Sequence, residues 1–207
     1  MPQRLEMGGA SLILYVVPDL ETLVDRGALL RGEAEPPYWA YLWTGARVLA
    51  DYATRRMTLA GTRVLEIGCG LGLPGIAAAA AGAHVTFVDT AAPALAFIRA
   101  SLDANGLEGD LRGVDYRTLP KGERFDLILA AEVAYEPEGF GDLAAFFSRH
   151  LAPGGRVVMA DGFRTNTRPL YRACRRERLT TAAIDCRVVE EGRPAPIRLV
   201  MLQRSAS

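Results

Sequence analysis

The chain contains little cysteine, histidine and lysine, and these shortages exclude several kinds of site. Its three cysteines are Cys69, Cys174 and Cys186. Thiols so few, scattered and odd in number do not predict a disulfide framework or a zinc site, and they favour a reducing, cytoplasmic setting. Neither of the two histidines, His84 and His150, has a cluster of metal ligands around it in the sequence. We therefore expect no metal.

The chain also lacks an excess of charge and any long apolar segment. Its 24 basic residues balance its 24 acidic residues, and Lys121 is the only lysine, so nearly all the positive charge is arginine. A balanced charge argues against a broad nucleic-acid surface, which usually needs a basic patch. No apolar run reaches membrane-spanning length, and the N-terminus has no signal-peptide pattern. We expect neither nucleic acid nor a membrane as a partner.

The length and the order of apolar segments predict one α/β domain. The chain has 207 residues, half of them hydrophobic, which is enough for one full core. Strand-like and helix-like segments alternate, which predicts a doubly wound, Rossmann-like parallel sheet. A closing strand–turn–strand pair predicts one antiparallel strand at the end. The predicted strands are 64–68, 84–89, 111–114, 125–133, 156–161, 183–190 and 197–204, and the helices are 73–81, 92–104, 139–151 and 167–178.

A glycine-rich turn between the first predicted strand and helix carries the clearest functional signal. Residues 64–75 read Val-Leu-Glu-Ile-Gly-Cys-Gly-Leu-Gly-Leu-Pro-Gly. Glycines at 68, 70 and 72 permit a tight turn and close approach to a ligand, and Pro74 suits the first turn of a helix. Free N–H groups at a helix start favour polar or anionic ligand groups. We therefore expect a nucleotide-like cofactor here.

Two cofactor classes compete for this turn. Gly70-x-Gly72-x-x-Gly75 matches the dinucleotide fingerprint, with Asp89 near the position of a ribose-binding acid. The longer pattern Glu66-x-Gly68-x-Gly70-x-Gly72 places an acid inside the strand end, where it would repel a pyrophosphate. The longer pattern resembles motif I of the seven-β-strand methyltransferases, which bind S-adenosylmethionine. A dehydrogenase would also need further βα units, for which the chain is too short.

The resemblance implies a fold and a set of cofactor residues. The fold is a seven-stranded sheet with the last strand antiparallel, in a single domain over 1–207, with a helical and aromatic extension over 1–60 and a Rossmann-like core over 61–207. In that family the acid ending strand two holds the ribose, a pair after strand three lies beside adenine, and the motif I acid lies near the methionine end. The corresponding residues here, with neighbouring positions, are Glu66, Gly68, Cys69, Gly70, Gly72, Asp89, Asp115, Tyr116 and Ala131.

The segment before the glycine turn narrows the resemblance to one group. Residues 36–45 read Pro-Pro-Tyr-Trp-Ala-Tyr-Leu-Trp-Thr-Gly. This segment resembles the one in seven-β-strand protein-lysine methyltransferases, and the best likeness is to those that modify the β subunit of electron transfer flavoprotein. Proteins of this type are also labelled predicted nicotinamide N-methylases. The resemblance places Trp43 at the cofactor. Aromatic stripes such as Tyr38, Trp39, Tyr41 and Trp43 are usually part of a core, and Trp43 could pack against both the core and the cofactor.

An acid-x-x-aromatic sequence after strand four supplies the predicted catalytic residues. It reads Glu132-Val133-Ala134-Tyr135, and eukaryotic members of the group commonly have aspartate at its first position. Glu132 could orient a lysine ammonium and help to remove its proton, and Tyr135 could line the lysine channel. A helix-capping or ion-pairing role for Glu132 is the structural alternative.

Three function classes stay open on the sequence alone. A protein-lysine methyltransferase is favoured, a small-molecule amine N-methyltransferase is the second class, and a non-catalytic S-adenosylmethionine-binding protein is the third. An RNA methyltransferase is disfavoured because no Asn-Pro-Pro-Tyr-like motif follows strand four. An open groove with an acidic rim would favour the first class, and a closed pocket the second.

Overall fold

The chain begins with a β-hairpin that the sequence analysis did not predict. In a computed structural model that describes residues 1–163, 165–190 and 192–205, β1 (Pro2–Met7) pairs antiparallel with β2 (Ala10–Tyr15). Gly8 and Gly9 form the turn with φ of 58° and 89°, a conformation that favours glycine. The expectation of a purely helical and aromatic extension over 1–60 was wrong for this hairpin. The Gly-Gly pair between two apolar segments was a signal in the sequence from which this hairpin could have been predicted.

A seven-stranded sheet forms the centre of the molecule, with strand order β5-β4-β3-β6-β7-β11-β8. Strands β3 to β7 run parallel, and β11 lies antiparallel between β7 and β8. This arrangement confirms the predicted sheet with its last strand antiparallel. The strands are β3 (Arg63–Ile67), β4 (His84–Val88), β5 (Asp110–Arg112), β6 (Phe125–Ala131), β7 (Leu151–Asp161), β8 (Leu179–Cys186), the short pair β9 (Val189–Glu190) and β10 (Arg193–Pro194), and β11 (Ile197–Arg204).

Helices cover both faces of the sheet. They are α1 (Arg26–Leu30), α2 (Thr44–Arg56), α3 (Leu73–Ala80), α4 (Ala92–Ala104), α5 (Phe140–His150) and α6 (Arg168–Arg176). Helices α2, α3 and α4 share one buried cluster with the N-terminal hairpin, and α5 and α6 share the cluster on the other face. The hairpin is attached through Asn105, whose side chain bonds both the N–H and the carbonyl of Ile13.

Two boundaries in the second half of the sheet differ from the predicted ones. Residues 152–155, which separate the predicted helix 139–151 from the predicted strand 156–161, lie within β7, where the pairing moves from Leu151 opposite Phe125 to Arg156 opposite Leu127. The extra residues form a bulge, with Gly154 at a φ of 76°. Strand β8 begins at Leu179, four residues earlier than the predicted start, and its largely exposed edge gave little apolar pattern for placing the boundary.

The carboxyl ends of β3 to β7 meet at one edge of the sheet, because these strands run parallel. Ligands of open α/β sheets bind at this edge. The loops that follow β3, β4, β5 and β6 therefore converge here. Among the described residues, no helix is long and apolar enough to cross a membrane.

Candidate functional site

The glycine-rich turn follows β3 and requires glycine for both its backbone and its neighbours. Gly70 and Gly72 have φ of 50° and 71°. A Cβ at Gly70 would lie 3.0 Å from the carbonyl oxygen of Trp39, and one at Gly72 would lie 2.8 Å from the side chain of Ile98. The aromatic segment before α2 thus lies directly against the turn. Larger side chains would separate these layers.

Glu66 lies behind the turn. Its side chain is buried, and its Oε2 accepts a hydrogen bond of 2.8 Å from the backbone N–H of Gly75 in the first turn of α3. Burial raises the pKa of this carboxyl to about 8, which the Gly75 N–H opposes and the charge of Asp89 reinforces. Strand side chains alternate between the two faces of a sheet, so this acid points toward α3 and holds the helix onto β3. Glu66 thus has a positioning role in the structure, and the cofactor contact expected for it stays a prediction.

Asp89 links two loops at the end of β4. Its carboxylate accepts the N–H of Gly70 at 2.8 Å and the N–H of Ala91 at 2.9 Å. Each carboxylate oxygen has a second acceptor position, so the group retains capacity for ligand hydroxyls. The two backbone bonds fix its orientation. This geometry suits a group that must present two acceptors to a ribose.

A cavity of about 600 Å³ opens at this edge of the sheet. That volume falls within the range of about 300–1,000 Å³ typical of small-molecule sites. Every predicted site residue except Glu66 lines it, which brings together Trp43, Gly68, Cys69, Gly70, Gly72, Asp89, Asp115, Tyr116, Ala131, Glu132 and Tyr135.

The loop after β5 contributes Asp115 and Tyr116. Asp115 accepts the backbone N–H of Arg117 at 2.9 Å and pairs with the guanidinium of Arg117, which lowers the pKa of the carboxyl. Tyr116 packs edge-on against Phe146 at a centroid distance of 4.8 Å. The ring is thus held at the cavity wall by the core beneath it. The adenine contacts predicted for the pair stay a prediction.

Glu132 stands at the end of β6 in a left-handed conformation, with a φ of 59°. Its backbone N–H donates to Ala160, and its carboxylate accepts the N–H of Gly162 at 3.2 Å. The same carboxylate packs so closely against Gly45 in α2 that a Cβ there would lie 2.6 Å from its Oε1. Such a backbone conformation is uncommon for a residue with a Cβ and occurs often at functional sites. The carboxylate is therefore fixed between α2 and the end of β7, at the cavity wall.

The mouth of the cavity has a ring of residues that the sequence analysis did not select as site residues. Tyr38, Tyr41, Glu35 and Glu136 line it together with Tyr135. The aromatic residues were visible in the sequence but were equally compatible with a core stripe. The two glutamates belong to no motif, and only the folded chain places both beside the mouth.

Comparison with known proteins identifies the domain. Residues 64–155 match a family model described as "Methyltransferase domain". The chain carries a methyltransferase domain. This match confirms the predicted class over the dinucleotide-binding alternative, and it spans the glycine turn, Asp89, Glu132 and Tyr135.

Two curated relatives of this methyltransferase domain are named as protein methyltransferases. Protein N-lysine methyltransferase METTL21A of Danio rerio is 37% identical over 129 residues, which cover 58% of this chain and 58% of the relative. Histidine protein methyltransferase 1 homolog of Dictyostelium discoideum is 33% identical over 152 residues, covering 69% of this chain and 48% of the relative. The chain spans about half the length of these two curated relatives.

The fold is shared with solved methyltransferases. Magnesium protoporphyrin IX methyltransferase (ChlM) from Synechocystis PCC 6803, solved with bound SAM, matches with a TM-score of 0.65 and 16% identity, over 92% of this chain and 100% of that chain. At this identity the match shows the fold. Together the comparisons support S-adenosylmethionine as the cofactor of the methyltransferase domain.

Proposed function

We propose that this protein is an S-adenosylmethionine-dependent N-methyltransferase that modifies lysine side chains of a protein. The observation that carries the proposal is one open cavity lined both by the glycine turn and Asp89 and by Glu132 and Tyr135. A methyl donor and an amine acceptor must lie side by side, and this cavity offers groups for both. The names of the two relatives, a protein N-lysine methyltransferase and a histidine protein methyltransferase, support a protein as the substrate, and the first supports lysine.

The residues of the cradle fit S-adenosylmethionine. Gly70 lets the Trp39 carbonyl lie directly against the turn, because a Cβ at this position would approach that carbonyl to 3.0 Å. Asp89 presents a fixed carboxylate to the ribose hydroxyls, and Tyr116 offers a ring beside the base. We assign these groups to cofactor binding.

Methyl transfer needs a neutral nitrogen and an excluded solvent. S-adenosylmethionine, when bound, would supply an electrophilic methyl group on a sulfonium, with the thioether as the leaving group. Only a nitrogen with a free lone pair could accept this methyl group, so the lysine ammonium must first lose a proton. We assign Glu132 to orient this ammonium and to accept its proton, with the carboxylate held by Gly162 and the start of α2. Tyr135 lines the approach of the side chain.

The exposure of the mouth favours a protein substrate over a free small amine. The rings of Tyr38, Tyr41 and Tyr135 remain 47%, 37% and 53% exposed. Glu35 and Glu136 are also exposed beside them. An open, acid-rimmed mouth admits a side chain that projects from a large molecule, whereas a small amine is usually enclosed.

Incorporation of label from methyl-tritiated S-adenosylmethionine tests the proposal. The purified protein is incubated with a lysate of the source organism, and the Asp89→Ala variant serves as the matched control. We expect a labelled protein band with wild type and no such band with the variant. The hydrolysate of the labelled band should contain methyllysine. Methylhistidine in the hydrolysate would show that the acceptor is histidine and would reject lysine as the acceptor. Label confined to small molecules would support the small-amine alternative and reject the proposal.

A further inference from the structure

Four aromatic side chains surround the mouth of the cavity, and we call them the aromatic rim: Tyr38, Tyr41, Trp43 and Tyr135. The ring centroids of Tyr38 and Tyr41 lie 6.4 Å and 5.4 Å from that of Trp43. The Trp43 indole N–H donates to the carbonyl of Tyr38 at 3.0 Å, which fixes the indole relative to the tyrosine. Tyr38, Tyr41 and Tyr135 of the rim are exposed to solvent, and Trp43 is half-buried.

Two carboxylates lie beside the same surface. Glu35 and Glu136 are exposed and line the mouth with the rim. Within the part of the chain that the structure describes, neither carboxylate has an ion pair. Both are close enough to Tyr135 that, after burial, their charges contribute to raising the pKa of its phenol. The mouth is therefore aromatic and negative, although the whole chain carries a formal net charge of +0.

Arginine is the side chain that complements both features. Its guanidinium is planar and stacks on aromatic faces, and it is more weakly hydrated than an ammonium group. It also pairs with carboxylates through two parallel N–H groups. A lysine ammonium satisfies the charge but stacks less well. A neutral side chain would gain little from either carboxylate.

The position of the rim separates this role from catalysis. Glu132 lies against α2 and Gly162, whereas the rings of Tyr38 and Tyr41 are exposed at the mouth. A substrate side chain that reaches Glu132 passes the rim, so the rim contacts the residues of the substrate that flank the methylated residue. Tyr38 and Tyr41 can thus select a sequence without contacting the reacting atoms, whereas Tyr135 also lines the approach to Glu132.

We propose that the aromatic rim, with Glu35 and Glu136, binds an arginine side chain that flanks the methylated residue in the substrate protein. This assignment rests on the proposed function, since it names the sequence around the acceptor of that reaction. The partner is therefore a basic peptide segment, with arginine next to the target amine.

Four synthetic peptides test this assignment. They share one acetylated sequence with a central lysine and differ only at the preceding residue, which is arginine, lysine, citrulline or alanine. Citrulline keeps the shape of arginine without its charge. Calorimetry in saturating S-adenosylhomocysteine measures binding, and labelled S-adenosylmethionine measures transfer. We expect the citrulline peptide to bind about 2- to 30-fold more weakly than the arginine peptide, the range for one cation–π contact.

Variants of rim residues and of Glu136 test whether the preference for the arginine peptide arises at the rim. Tyr41→Leu and Glu136→Gln should each reduce the ratio between arginine and citrulline peptides, whereas Tyr41→Phe should retain it because the ring remains. Phe163→Leu is the matched control, because Phe163 is an exposed ring outside the cavity that stacks with Arg198 at 4.8 Å. The ratio of arginine-peptide to citrulline-peptide binding for Phe163→Leu should equal that of wild type.

The outcomes separate this inference from the proposed function. Equal binding and equal transfer for all four peptides would overturn the arginine site and leave the methyltransferase assignment standing. Preferential binding of the arginine peptide, with transfer to none, would uphold the site and count against lysine as the acceptor. A ratio that persists in both Tyr41→Leu and Glu136→Gln would also overturn the assignment to the rim.

Discussion

The buried carboxyl of Glu66 and the backbone N–H of Gly75 are joined by a hydrogen bond of 2.8 Å. This bond connects the end of β3 to the first turn of α3, so it spans the glycine turn that lies between them. The Glu66 carboxyl therefore affects the cofactor site indirectly, because it fixes the geometry of the glycine turn. Its effects should therefore appear in stability and in turn geometry as well as in ligand affinity.

The raised pKa of Glu66 predicts a pH-dependent stability. The carboxyl titrates at about 8 in the folded protein, whereas its usual value is 4.5. Between these values the folded state holds a proton that the unfolded state has lost, so stability falls as pH rises through the window. The contribution is at most about 1.4 kcal/mol per pH unit. Urea unfolding of wild type and Glu66→Gln at pH 5 to 8 measures it. The glutamine amide of the variant mimics the protonated acid, so the slope should flatten, and equal slopes would contradict the assignment.

Gly75 should not tolerate a side chain. A Cβ there would lie 2.3 Å from the ring of Phe87 and 2.5 Å from Glu66 Oε2. We expect Gly75→Ala to lower the free energy of unfolding by about 1–3 kcal/mol through overpacking. Gly141→Ala in α5 is the control, since a Cβ there would meet nothing within 4 Å and alanine favours helix. Denaturant unfolding compares the two, and a neutral Gly75→Ala would show that α3 can move away from β4.

Asp89→Ala should weaken S-adenosylmethionine binding. The variant loses the acceptors proposed for the ribose and releases the Gly70 and Ala91 N–H groups. We expect a loss of about 1.5–3 kcal/mol in binding free energy, the scale for hydrogen bonds to a charged group. Calorimetry gives the value, with the exposed Asp103→Ala in α4 as the control. Unchanged affinity in Asp89→Ala would remove the residue from the cofactor site.

Trp43 should report cofactor binding by fluorescence. It lines the cavity and precedes α2. Trp39 lines the cavity as well, so Trp39→Phe leaves Trp43 as the single tryptophan. We expect S-adenosylhomocysteine to change the emission of this variant in a saturable way. If the emission does not change on addition of S-adenosylhomocysteine while calorimetry shows binding, Trp43 lies away from the cofactor.

Glu132→Gln should slow methyl transfer without removing cofactor binding. Glutamine keeps the size and the acceptor for Gly162, but it has no charge and no basicity. We expect single-turnover transfer to fall by about 10²–10⁴-fold, with a smaller loss in Tyr135→Phe. Glu138→Gln, at an exposed position outside the cavity, is the control. Full activity would reject the catalytic role, and loss of cofactor binding would move Glu132 into the cofactor site.

The local pattern of the sequence determined the central elements and the positions of most site residues. A strand, a glycine turn and a helix are specified by residues adjacent in the chain, so 64–81 could be predicted closely. Asp89 and Glu132 follow strands, and parallel strands end at one edge, so their convergence at one cavity also followed from the order of elements. The predicted antiparallel final strand has the same basis.

Tertiary structure decided what the sequence pattern left open, because side-chain direction and exposure depend on packing between distant segments. Glu66 points toward α3, and not into the cavity, because α3 packs on that face of β3. The residues around Trp43 form an exposed rim because the segment crosses the glycine turn at Trp39. Glu35 and Glu136 are about a hundred residues apart in the chain, and only the fold places both charges at the same mouth.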